Sequence, residues 1–142
     1  MINYQKILNK NLKKTFIDIL KDIEKNGIKD GNLLYITFIT KHPLVSIPNW
    51  ILKKYPDEMT IVIQYEYYDF IVNKNNFKIG LSFNNIKANL IIDYNSIISF
   101  ADPFENFGLK LQQNNNKKLK TKNNLKKQNP NNVIDFTNYK KN

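Results

Sequence analysis

The first apolar positions of the chain fall at three- and four-residue steps. Ile7, Leu8, Leu12, Phe16, Ile19, Leu20 and Ile23 recur at this spacing between Tyr4 and Asn26. That period predicts one amphipathic helix with a single apolar stripe. Lysines, with Asp18, Asp22 and Glu24, take much of the remaining surface, and Gly27 follows. Glycine suits the left-handed residue that closes a helix. The stripe covers the chain's own core, and it is also a candidate surface for a second copy of the chain.

From Asn32 the period changes. LLYITFIT is short and rich in β-branched and aromatic residues, which predicts a strand. HPLVSIPNW contains Pro43 and Pro48, which lack backbone donors, so it reads as an edge or a loop. NWILKKY predicts a short helical turn before Pro56. MTIVIQYEYYDFIV and NFKIGLSF read as two strands separated by the turn-prone NKNN. NLIIDYNSIISF reads as a strand or strand pair, and NFGLKLQ as a last short strand. A helix followed by about five or six strands with brief turns predicts an α+β fold, its sheet curled into a small barrel.

After Leu111 the pattern stops. QQNNNKKLKTKNNLKKQ has almost nothing to bury, yet the chain then ends in NPNNVIDFTNYKKN. A polar run that finishes in an apolar cluster predicts a disordered tail with a few anchors at its tip. The chain so divides into a folded domain over 1–111, a linker over 112–132 and a terminal peptide over 133–142.

Composition changes this picture little. With 142 residues the chain suits one domain with a true core. It has no cysteine, which excludes disulfides and thiolate metal sites. No stretch approaches about 20 apolar residues, and MINYQKILNKNLKKTF lacks the apolar block of a signal peptide. A soluble cytoplasmic protein is the expectation. The net charge of +10 raises the question of nucleic acid. The excess is uneven: residues 112–142 hold eight lysines and one aspartate, +7, and residues 1–111 hold fourteen lysines and eleven acids, +3. Every basic residue is lysine, whereas arginine is the preferred tool for phosphates and guanine edges. The abundance of Lys, Asn and Ile together reads as coding bias rather than as a nucleic-acid surface.

The inventory for catalysis is thin. His42 is the only histidine and has no acid beside it in sequence. Asp57 and Glu58 read as a solvated turn. The sequence carries no nucleophile elbow, phosphate-cradling glycine loop or metal-ligand spacing. No enzyme, no metal and no cofactor is expected.

YITF, YPDEMTIVIQYEYYDFIV, FKIGLSFNNI and FADPFENFGLKL, in that order and spacing, resemble the SspB family in its alphaproteobacterial form. The resemblance covers about Tyr4 to Leu111. It implies an adaptor for the ClpXP protease, which binds the ssrA tag of stalled nascent chains and delivers the tagged protein to ClpX. It implies a small, strongly curved Sm-like (SH3-like) barrel behind the N-terminal helix, and a homodimer, for which Ile7, Leu8, Leu12, Phe16, Ile19 and Leu20 are the candidate interface. The tag groove carries over to Gly80, Leu81, Ser82, Phe83, Asn84 and Asn85. A glycine inside a strand often lets another backbone come close, which singles out Gly80. The family pattern has glycines where this chain has Asn84 and Asn85, and a proline where it has Lys87; asparagine tolerates positive φ. The tail then answers as a docking peptide for the N-terminal zinc-binding domain of ClpX, with Val133, Ile134, Phe136 and Tyr139 as apolar anchors and Lys140 and Lys141 adding charge. An RNA-binding Sm-like barrel with a basic tail is the alternative from another class, and a hydrolytic enzyme is a third.

Overall fold

The computed structural model describes residues 1–29 and 31–111. Helix α1 spans Tyr4–Asn26. Asn3 caps its start in an extended conformation, its side chain accepting the Lys6 N–H at 3.0 Å. Gly27 ends it with φ of 76°, and its N–H donates to the Ile23 carbonyl at 2.8 Å. The helical period of the apolar residues and the terminal glycine therefore set both the type and the end of this element. Among the described residues no helix is long and apolar enough to cross a membrane.

Seven strands follow: β1 Leu34–Ile39, β2 Glu58–Ile63, β3 Tyr68–Val72, β4 Asn76–Phe83, β5 Ile86–Asp93, β6 Ile97–Asp102 and β7 Phe107–Lys110. Helix α2, Asn49–Lys54, fills the expected turn before Pro56. All described pairings are antiparallel and fall into two sheets, ordered β2-β1-β6-β7 and β3-β4-β5. The fold class is α+β, with the helix first. Closure of the strands into one barrel ladder is not among the described pairings.

One strand expectation is corrected, and one that allowed a strand or a strand pair is resolved. MTIVIQYEYYDFIV is two strands, not one: β2 belongs to the four-stranded sheet and β3 to the three-stranded sheet. β2 alternates cleanly, with Met59, Ile61 and Ile63 inward. Beyond it Tyr65 is exposed, and Asp69 sits at φ of 50°, where the β3–β4 register shifts. A chain that must cross between sheets cannot hold one alternation throughout. Likewise NLIIDYNSIISF is two strands in different sheets, joined by a 3₁₀ turn over Tyr94–Ser96. Asp93 holds that turn, its carboxylate accepting the Asn95 N–H at 2.9 Å.

The core lies between α1 and the two sheets. Phe16, fully buried, meets Phe77 of β4 at 6.2 Å, Phe100 of β6 at 4.8 Å and Tyr94 at 6.3 Å, centroid to centroid. Leu34, Ile36 and Phe38 of β1, Ile79 and Leu81 of β4, and Leu90 and Ile92 of β5 pack around it. In β6 both Ile97 and Phe100 are buried, three apart, because the register shifts between Thr37 and Phe38 and leaves Ile98 as an extra residue.

The helix stripe divides. Phe16 and Leu20 are fully buried in the chain's own core and leave no surface for a second copy. Leu12 and Ile19 are half-buried at its margin, and Ile7 and Leu8 are exposed. Of the six residues assigned to self-association, four retain surface to offer.

Tyr94 closes the core's lower edge. Its ring stacks on Phe77 at 6.1 Å, and its hydroxyl donates to the Asn73 carbonyl at 2.7 Å. Burial, with Glu24 and then Asp93 nearby, pushes its pKa up to about 12 from 10.0. A raised native pKa contributes stability that is whole below pH 10 and is lost as pH rises towards 12, because the unfolded tyrosine ionises first. Tyr94→Phe is expected to cost about 1 kcal/mol at pH 7, through the lost hydrogen bond. The wild type alone should then lose roughly 1–2 kcal/mol at alkaline pH, so the gap should close or reverse. Urea unfolding at pH 7 and pH 11 measures this; an unchanged gap means Tyr94 titrates normally.

Candidate functional site

Strand β2 is an edge strand: β1 takes one of its sides, and no described strand takes the other. Strand β4 is central only in part. β3 pairs with it from Phe77 to Gly80 and stops there, whereas β5 follows it to Phe83. Leu81, Ser82 and Phe83 so keep a free edge on the β3 side. An open cleft of about 470 Å³ lies between these two unpaired edges. One wall is Thr60, Ile61 and Val62 of β2, the other Leu81, Ser82 and Phe83 of β4, and the connection Gln64, Tyr65 and Glu66 completes it.

The period of two positions the lining. Ile61 and Leu81 point into the core and hold the two walls to it, at 1% and 6% exposure. Val62, Thr60 and Ser82 point outward. Thr60 is steadied by Thr37, hydroxyl to hydroxyl at 2.7 Å. Phe83 packs edge-on against Trp50 of α2 at 6.3 Å, which ties the end of β4 to the short helix. Among the lining residues only Glu66 carries a charge. The size falls within the usual range of ligand clefts. Two free strand edges beside apolar side chains can accept an extended backbone by hydrogen bonding, with pockets for alternate side chains.

The residues expected to form the groove separate here. Leu81, Ser82 and Phe83 line the cleft. Asn84 and Asn85 form the β4–β5 turn beside it, at φ of 52° and 67°. Both central residues in the left-handed region are what a type I′ hairpin turn requires, and asparagine tolerates that conformation. Gly80 is not among the lining residues. The Tyr68 ring lies over it from the paired position on β3, and a Cβ there would stand 2.2 Å from a ring carbon. Lys87 sets its ammonium 5.5 Å from the same ring.

The β2 wall and the 64–66 connection escaped the sequence reading. Thr60 and Val62 are ordinary outward residues of an alternating strand, and only the strand order makes their edge free. The alternation of β2 was legible; its place at the sheet margin was not. His42 is a loop residue whose Nδ1 accepts the Leu44 N–H at 3.1 Å. Asp57 is exposed and paired with Lys41 at 3.1 Å, but Glu58 opens β2 rather than belonging to a turn. No group of acidic or histidine side chains able to hold a metal occurs among the described residues. Val133, Ile134, Phe136, Tyr139, Lys140 and Lys141, with the linker 112–132, lie outside the described residues.

A family model described as SspB, Stringent starvation protein B, matches residues 7–141. No curated protein matches the chain.

Because the Tyr68 ring occupies the space a Cβ would need, Gly80→Ala must turn the ring away. The expected cost is about 1–3 kcal/mol. In a double-mutant cycle, Tyr68→Ala should remove most of that cost, because nothing is then left to clash. Thermal or urea unfolding of the four proteins measures it; additive effects would mean the glycine serves something other than the ring.

Proposed function

The chain belongs to the SspB family of ClpXP adaptors, and from that premise we propose that it binds the ssrA tag of stalled-translation products and delivers them to the protease in the cytoplasm. The observation that carries this reading is the cleft between the free edges of β2 and β4. It is open, nearly uncharged and bounded by backbone with unused hydrogen-bonding capacity, which suits an extended, largely apolar peptide. The tag lies along Leu81–Phe83, with the β2 wall opposite and the Asn84–Asn85 turn at one end.

Delivery rests on the tail. The apolar anchors Val133, Ile134, Phe136 and Tyr139, with Lys140 and Lys141, dock on the N-terminal zinc-binding domain of ClpX. The linker over 112–132 keeps the bound substrate at high effective concentration near the pore. Self-association gives two tails per particle and so avidity from weak docking. It runs through the flank of α1 that carries Leu8, Leu12 and Ile19. No catalysis, cofactor or metal takes part in this role.

Binding and delivery are expected to separate. Ser82→Trp should weaken a labelled ssrA peptide at least about tenfold in anisotropy titrations while the fold persists, since it fills the cleft. Wild-type affinity in that variant places the groove elsewhere. Removing residues 133–142 should leave tag affinity unchanged and abolish stimulation of ClpXP degradation of a tagged fluorescent protein at low substrate concentration. Undiminished stimulation overturns the docking role. Leu12→Glu with Ile19→Glu should shift a dimer to monomer in sedimentation, since each places a charge on the shared flank; a wild-type monomer at micromolar concentration overturns the dimer.

A further inference from the structure

At about 100° per residue, Lys6, Lys10, Lys13, Lys14, Lys21 and Lys25 fall within one sector of α1, on the flank away from Leu8, Leu12 and Ile19. The β3–β4 connection runs beside this flank. Glu24 holds the end of β3 against the helix, its carboxylate accepting the Val72 N–H at 2.9 Å. Between the two lies a second open cleft, of about 490 Å³. Ile17 and Val72 supply apolar side chains to its lining, and Lys10, Lys14 and Lys21 stand on one side with Lys74 on the other. Lys13 also lines it but is engaged, hydrogen-bonded to the Asn95 side chain. Asp18 is the one carboxylate in the lining. Among the described residues no carboxylate pairs with Lys10, Lys14, Lys21 or Lys74; the ion pair found among them, Lys41–Asp57, lies elsewhere.

We propose that this cleft is a docking surface for an acidic protein segment that carries an aliphatic residue among its carboxylates. Charge complementarity identifies the occupant: four free ammonium groups against one carboxylate attract anions and steer their approach. The apolar lining narrows the class. Ile17, Val72 and the aliphatic stems of the lysines offer burial that a phosphate backbone cannot use but an aliphatic side chain can. The chain has no arginine to grip phosphate with a planar fork, and Asp18 opposes a run of phosphates. The surface lies apart from the tag cleft, which is built on β2 and the far end of β4, so both can be occupied at once.

The test uses full-length protein and three fluorescein-labelled probes. One is a peptide of three glutamates, one leucine and three glutamates; the second has serine in place of the leucine; the third is a twelve-nucleotide uridine RNA. The leucine peptide should bind the wild type, and changing its leucine to serine should weaken binding about fivefold, as partial burial of one aliphatic side chain allows. The triple variant Lys10→Glu, Lys14→Glu, Lys21→Glu should lose about tenfold or more in affinity for the leucine peptide, with circular dichroism and ssrA binding unchanged. Lys74→Glu, on the opposite wall, should weaken the same peptide without altering α1. The basic tail is present in every variant, so binding that survives both variants comes from the tail and overturns the proposal. Equal affinity for the leucine and serine peptides overturns it in favour of diffuse charge. RNA bound more tightly than the leucine peptide, and lost in the same variants, overturns it in favour of a phosphate surface. Absence of peptide binding to the wild type overturns it outright.

Discussion

Everything in this fold is arranged around one ring. Phe16 reaches from α1 to Phe77 of the three-stranded sheet and to Phe100 of the four-stranded sheet, and Tyr94 of the turn between sheets closes beside it. Neither sheet buries its inner face without the other, and neither is joined to the other by a described strand ladder. Aromatic contacts and aliphatic packing therefore do what backbone pairing does within each sheet. Truncating a fully buried phenylalanine costs about 3–5 kcal/mol, a large part of the whole stability of a domain this size. Phe16 is thereby committed to the core and is not available to a partner.

The candidate cleft follows from the same division. Because the chain leaves β2 in one sheet and enters β3 in the other, β3 meets β4 only as far as Gly80. The last three residues of β4 are left facing the margin of β2. An exposed strand edge is a standing invitation to pairing, one that proteins usually blunt with charge, proline or a covering element. Here the two edges flank a cleft with one charged residue in its lining, which is the form expected of an edge kept for a ligand. Tyr68, laid over Gly80 and approached by Lys87, marks where internal pairing ends and the free edge begins.

Helix α1 presents three different surfaces. Phe16, Leu20 and Ile23 face the core; Leu8, Leu12 and Ile19 form an apolar margin on one side; the lysines line the other. The core face, the apolar margin and the basic flank therefore occupy separate sectors of one amphipathic helix. The overall net charge obscures this, because it averages a basic flank with the acids at Asp18, Asp22 and Glu24.

What the sequence determined by itself is local. The helix over Tyr4–Asn26 and its end at Gly27 are written in a period of three to four and one glycine. The strand character of LLYITFIT and NFKIGLSF is written in alternation, and the Asn84–Asn85 turn in two residues that accept positive φ. Family membership was legible in PDEMTIVIQ, GLSF and DPFENFGL, and one wall of the candidate cleft with it, at Leu81, Ser82 and Phe83. The tertiary structure decided the rest: that MTIVIQYEYYDFIV breaks between two sheets, that Phe16 and Leu20 belong to the core while Ile7 and Leu8 do not, that Gly80 makes room for a ring, and that Thr60 to Val62 form the second wall. Periodicity reports which face of an element is apolar, because burial acts on each residue where it stands. It does not report which strand neighbours which, because strand order is set by contacts between residues far apart in sequence. A cleft made of two free edges exists only once that order is known.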